Sequence, residues 1–132
     1  MNPKEVILAF VEKINAHDVD GLCALMTDDH VFVDSDGTHV AGRETLRMAW
    51  ATYLKWFPDY YISQEQVFGQ GSVVAIFGRA RGTYAGDGQQ ADRQPWEIPA
   101  AWKAVVQEER VAEWRVYANV DAVRRQMEEK AP

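Results

Sequence analysis

The sequence predicts an α+β domain in which helices come first and a curved, mostly antiparallel sheet follows. Apolar residues recur at helical spacing through much of the first 56 positions, but alternate with polar ones over most of Tyr60 to Asn119. The alternating runs are joined by tight turns or one polar loop, which suits hairpins and not helical crossovers. A strongly twisted sheet wrapped around helices leaves a cone with an open mouth.

The elements follow in order. Val6, Ala9, Phe10, Lys13 and Ile14 trace a helical stripe over residues 3–16, with Pro3 in its first turn. His17-Asp18 breaks that helix, and Asp18 caps a second, short one carrying Val19, Leu22, Cys23, Leu25 and Met26. A strand at Val31–Val33 ends in Asp34, and a turn and loop lead to Gly42-Arg43-Glu44, which opens a third helix. That helix buries Leu46, Ala49, Trp50, Tyr53 and Leu54 before Pro58. Strands are expected at 60–68, 73–84, 96–107 and 110–119, with a polar loop over 85–92 and a Glu108-Glu109 hairpin. Asp121 caps a terminal helix to Glu129, so the predicted order is α-α-β-α-β-β-β-β-α.

With 132 residues, the chain is expected to be a single domain, 1–132, with a substantial core. A net charge of -6 without a basic run argues against a nucleic-acid footprint and against an anionic membrane surface. The start reads as neither a signal peptide nor a spanning segment, so the expected location is cytoplasmic. The single cysteine, Cys23, reads as buried and inert. No two of the three histidines have metal-ligand spacing, so no metal site is expected.

The stretch Asp28–Glu44 carries the candidate chemistry. Alternation puts Phe32 and Asp34 on one strand face, and an acid pointing into an apolar interior is a general-base candidate with a raised pKa. The competing reading is an acid bonded to the backbone of the Ser35–Thr38 turn. His39, five residues on, is a possible partner for Asp34 or a ligand, although a lone loop histidine is more often solvated. Trp50, Tyr53, Trp56, Phe57, Trp96, Trp102 and Trp114 can line one cavity, with Gly78, Ala80, Gly82, Ala100 and Ala104 leaving space opposite. Trp102 and Trp114 would narrow it.

Several segments resemble the nuclear transport factor 2-like superfamily. Ile14-Asn15-Ala16-His17-Asp18-Val19-Asp20-Gly21-Leu22 is similar to its helix junction, and Ala24-Leu25-Met26-Thr27-Asp28-Asp29-His30-Val31-Phe32 to its entry into the first strand. Gly42-Arg43-Glu44, Phe57-Pro58-Asp59 and Arg81-Gly82-Thr83-Tyr84-Ala85-Gly86 resemble the SnoaL-like polyketide cyclase and ketosteroid isomerase branches, and Arg110-Val111-Ala112-Glu113-Trp114 the last-strand run. The resemblance implies the cone-shaped, cystatin-like fold. It places Asp34 where ketosteroid isomerases carry their proton-shuttling aspartate. Phe10 stands in place of their tyrosine, Ala101 or Trp102 in place of their second acid, and Asn119 or Ala118 in place of the cyclases' acid.

The resulting expectation is a protein for a small apolar molecule, held by Phe10, Phe32, Trp50, Tyr53, Phe57, Trp96, Trp102 and Trp114. Asp34, His39 and Asn119 are the catalytic candidates for cofactor-independent isomerisation, cyclisation or dehydration of a carbonyl compound. The alternative is a non-catalytic binding or dimerisation module. The resemblance also implies a homodimer, through the sheet face bearing Val105, Glu113, Arg115 and Tyr117.

Overall fold

A computed structural model describes residues 1–88 and 92–129. Residues 89–91 of the expected polar loop, and Lys130 of the terminal charge run, lie outside the described residues. The helices are α1 (Pro3–Asn15), α2 (Val19–Ala24), α3 (Arg43–Trp56) and α4 (Asp121–Glu128). The strands are β1 (Met26–Val33), β2 (His39–Ala41), β3 (Tyr61–Gln70), β4 (Val73–Gly82), β5 (Trp96–Gln107) and β6 (Arg110–Tyr117). They form one six-stranded sheet in the order β2-β1-β6-β5-β4-β3, antiparallel except for the β1–β6 pair.

Local chemistry accounts for the helix ends. Asn2 and Glu5 form a reciprocal capping box on α1, and Asp18 accepts the Gly21 N–H at 2.9 Å at the start of α2. Gly42 precedes α3 with φ 101°, a conformation that favours glycine, and Arg43 then pairs with Asp28 at 2.8 Å. That contact ties α3 to β1 and gives the Gly-Arg-Glu motif a structural task.

Two features differ most from the sequence expectation, besides ends of β3, β4 and β6 displaced by one or two residues. β1 begins five residues before Val31, because the polar run Thr27-Asp28-Asp29 is accommodated at a register irregularity between Met26 and Val31. His39–Ala41, expected as loop, is the edge strand β2, too short for alternation to register.

α1 lies in the hollow of the sheet and buries Val6, Ile7, Phe10, Val11 and Ile14 there. A bulge at Gln64–Gln66 bends β3, and a Cβ on Gly78 of β4 would sit 1.9 Å from the Ser63 carbonyl oxygen. Gly78 therefore serves close strand approach at the bend and leaves no space for a ligand. Asn15 locks helix to sheet by exchanging two hydrogen bonds with Ile62, its amide donating to the carbonyl at 3.0 Å and its oxygen accepting the N–H at 2.8 Å.

His30 is fully buried under Phe10. Its Nδ1–H donates to the Val111 carbonyl at 2.6 Å, which leaves Nε2 a buried acceptor without a partner among the described residues. Desolvation pushes its pKa below 6.5, outweighing the opposing Val111 bond and the charges of Asp29 and Glu113. Below pH 6.5 the unfolded chain takes up a proton that the native state refuses, so stability falls as pH drops towards the native pKa. The expected slope in that window is up to about 1.4 kcal/mol per pH unit. Urea unfolding of His30→Leu should lack this component, and an unchanged acid limb would contradict it.

Candidate active site

The hollow between sheet, α3 and α4 is a cavity of about 290 Å3. Its floor is Trp102 and Trp114, stacked at 6.2 Å and 2% and 1% exposed, with Phe32 beside Trp114 across the β1–β6 register. Trp50 and Tyr53 of α3 form one wall, with Tyr60 and Trp96 adjoining. Ala80, Ile98, Ala100 and Val116 supply small and aliphatic surface. Strand alternation builds this wall: Trp96, Ile98, Ala100 and Trp102 project from the same face of β5.

Asp34 lies on the cavity lining, but at the rim. The expectation of a buried acid is overturned, because Asp34 is exposed and its Oδ1 accepts the Ser35 N–H at 2.7 Å. β1 ends at Val33, so Asp34 opens the turn to β2, where its N–H donates to the Thr38 carbonyl and its carbonyl accepts from Gly37. Arg124 of α4 also lines the rim, near enough to help hold the Asp36 carboxyl below its usual range, after the larger effect of the Thr38 N–H bond.

The other candidates fall away from the cavity. His39 sits on β2, exposed. Asn119 is exposed and accepts the Asp121 N–H at 3.0 Å, which fastens the start of α4. Phe10 and Phe57 are wholly buried and back the lining: Phe10 packs on Trp114 at 5.1 Å, Phe57 on Tyr53 at 4.9 Å and Trp96 at 5.6 Å. Trp56 is 39% exposed and outside it, while Ala104 is in the core and Gly82 abuts the Trp96 ring.

A model of the SnoaL-like domain matches residues 7–114. The chain belongs to the SnoaL-like domain family. Among solved structures, a provisionally named SnoaL-like polyketide cyclase from Shewanella denitrificans has a TM-score of 0.83 at 16% identity, over 97% of this chain and 98% of that one. A hypothetical protein with a ketosteroid isomerase-like fold from Catenulispora acidiphila, in complex with trimethylamine, has a TM-score of 0.81 at 20% identity, over 99% and 97%. An uncharacterised cystatin-fold protein from Novosphingobium aromaticivorans reaches 0.73 at 22%, over 88% and 97%. Among curated proteins nothing matches. At such identities the likeness establishes the fold, and the chemistry rests on this chain's own residues.

In this SnoaL-like domain, sequence reasoning missed two contributors to the site. Tyr60, expected only as the first residue of a strand, stands just before β3, where it is buried and lines the cavity. α4 supplies Val123, Arg124 and Met127, and Val120 joins them from just before the helix. It is tied down by polar contacts: Gln126 accepts the Tyr84 N–H at 2.6 Å and donates to the Gln94 carbonyl at 2.8 Å. Buried Arg93 joins in, with two 2.7 Å bonds to Asp87 and one of 3.1 Å to the Glu129 carbonyl. Among the described residues, no group of His, Cys, Asp and Glu is arranged to hold a metal, and no helix is long and apolar enough to cross a membrane.

Proposed function

We propose that this domain takes up a small, mostly apolar carbonyl compound, and that Asp34 moves a proton during its isomerisation or cyclisation. The observation that carries the reading is the cavity itself: indole-floored, aliphatic-walled, with Asp34 as the one carboxylate on its lining among the described residues. Its volume of about 290 Å3 is at the small end of the ~300–1,000 Å3 usual for ligand sites, which suits one or two rings better than four. A carboxylate at the rim can take a proton from carbon when a carbonyl alongside acidifies it. The test is deuterium wash-in from D2O into a panel of one- and two-ring ketones and aldehydes, followed by proton NMR. Exchange faster than in buffer is expected; buffer-rate exchange throughout would reject the proton transfer and leave the binding.

A specific observation favours a second reading, a non-catalytic binding module: the Asp34 carboxylate is already engaged with the Ser35 N–H. The same assay separates the two.

We also propose that the domain pairs with a second copy through the convex sheet face. Phe68 and Phe77, 56% and 48% exposed, form an edge-to-face pair at 6.0 Å there. With Val105, Tyr117 and the Lys103–Glu113 ion pair at 3.3 Å, they make the mixed apolar and charged surface expected of an interface. Sedimentation should give a dimer at micromolar concentration and a monomer for Phe77→Glu. A wild-type monomer would contradict the proposal.

A further inference from the structure

We infer that the ligand of this cavity is a small oxo carboxylic acid, and that Arg124 of α4 receives its carboxylate at the rim. The inference rests on the ligand-binding reading above and adds to it the class of the ligand's second polar group.

Arg124 breaks the pattern of its own helix. Val120 at the N-cap, Val123, Arg124 and Met127 follow one another at the i, i+3, i+4, i+7 spacing of a single helical face, and all four line the cavity. Three of them are apolar, as an inward stripe requires. A permanently charged side chain in the fourth place breaks a local rule, and such breaks concentrate at functional sites. Arg125 and Glu128, exposed and off the lining, keep the rule.

The helix is held in this rotation. Gln126, 8% exposed, is bonded to the Tyr84 N–H and the Gln94 carbonyl, and the Glu129 carbonyl beyond the helix end accepts from Arg93. Neither Gln126 nor Glu129 lines the cavity, so α4 is fastened through another face and the Arg124 stripe stays turned inward.

The guanidinium is open to a partner. Among the described residues, Arg43, Arg47, Arg79 and Arg93 each hold a carboxylate, whereas the Arg124 side chain has no ion pair and no hydrogen bond. The acids at this end are committed to their own turn: Asp34 accepts the Ser35 N–H at 2.7 Å and Asp36 the Thr38 N–H at 2.9 Å. Asp36 feels the Arg124 charge without pairing with it. Arg124 is thus the one cation on the cavity lining among the described residues, with its donors unmet by the chain.

The planar guanidinium fork presents paired N–H donors that match the two oxygens of a carboxylate. At the mouth of an apolar cavity that attraction is screened less than in open water. A ligand with its carboxylate on Arg124 lays its carbonyl-bearing hydrocarbon part over Trp102 and Trp114, with Asp34 on the same rim. Charge makes the statement discriminating. A chain of net charge -6 with Asp34 at the rim repels anions in general, so a preference for an acid over its neutral ester requires a local cation.

The test is calorimetric titration with 3-benzoylpropionate and 4-benzoylbutyrate, each against its methyl ester, at neutral pH and low salt. The two arm lengths allow for the reach from floor to rim. The wild type should bind at least one acid about fivefold more tightly than its ester, between the worth of an exposed ion pair and that of a charge-assisted hydrogen bond. Arg124→Gln should bring the ratio to one or below while ester affinity stays unchanged, which also shows the fold intact. Arg125→Gln makes the same change of net charge on the same helix and should keep the wild-type ratio. Acids bound no better than their esters by the wild type would overturn the inference and leave the apolar pocket standing. So would a preference that survives Arg124→Gln, or one lost equally in Arg125→Gln. Binding of neither acids nor esters would remove the pocket reading and this inference with it.

Discussion

Trp114→Ala is expected to lower unfolding stability by about 3–5 kcal/mol in urea denaturation. Trp114 is 1% exposed and holds together three parts of the molecule: Phe10 of α1 at 5.1 Å, Trp102 of β5 at 6.2 Å, and Phe32 across the register with β1. Truncation removes the largest fully buried side chain and leaves a void contiguous with the cavity floor. The loss then combines transfer free energy with unfilled volume. The enlarged cavity should also admit bulkier apolar ligands. Trp56→Ala is the matched control, since Trp56 lies on the outer side of α3 and its removal should cost about 0.5 kcal/mol or less. A Trp114→Ala loss under about 1 kcal/mol would mean that the floor is not the keystone described here.

Asp34→Asn is expected to abolish proton exchange while sparing both binding and fold. The amide cannot accept a proton at neutral pH, so exchange should fall by about 10²–10⁴-fold, the usual worth of a general base. Ligand affinity should change by less than about twofold, because the rim position contributes little apolar area to the site. Stability should stay within about 0.5 kcal/mol, since an asparagine oxygen can accept the Ser35 N–H as the carboxylate does. Undiminished exchange in the variant would move the chemistry elsewhere or leave the domain a binder.

The fold was largely legible because its signals are periodic. The α1 stripe, the alternation of β5 and β6, and the Asp18 cap each state a local structure that tertiary packing reinforces. β2 escaped because three residues carry no period, and the Thr27–Asp29 part of β1 because its polar residues resist the strand reading. The site was legible where it rests on strand faces: Phe32, Trp96, Trp102 and Trp114 project inward as alternation requires, and Trp50 and Tyr53 follow the helical stripe. It was not legible at element ends. Asp34 has the inward parity but stands one residue beyond β1, where turn hydrogen bonding sets its orientation. Tyr60 joins the lining from the junction before β3, and α4 arrives through Gln126 and Arg93 contacts of long sequence separation. Phe10 and Phe57 show the converse: aromatic and inward-facing, they pack behind the lining.

The central claim, that the hollow of the cone is where a small carbonyl compound binds, is tested most directly by the indole N–H resonances. The chain has five tryptophans, of which Trp50, Trp96, Trp102 and Trp114 line the cavity and Trp56 does not. Nitrogen-correlated NMR during titration with acetophenone should shift the four lining indoles in a saturable, concerted manner and leave Trp56 in place. Shifts confined to Trp56, or none at saturating ketone, would contradict the account.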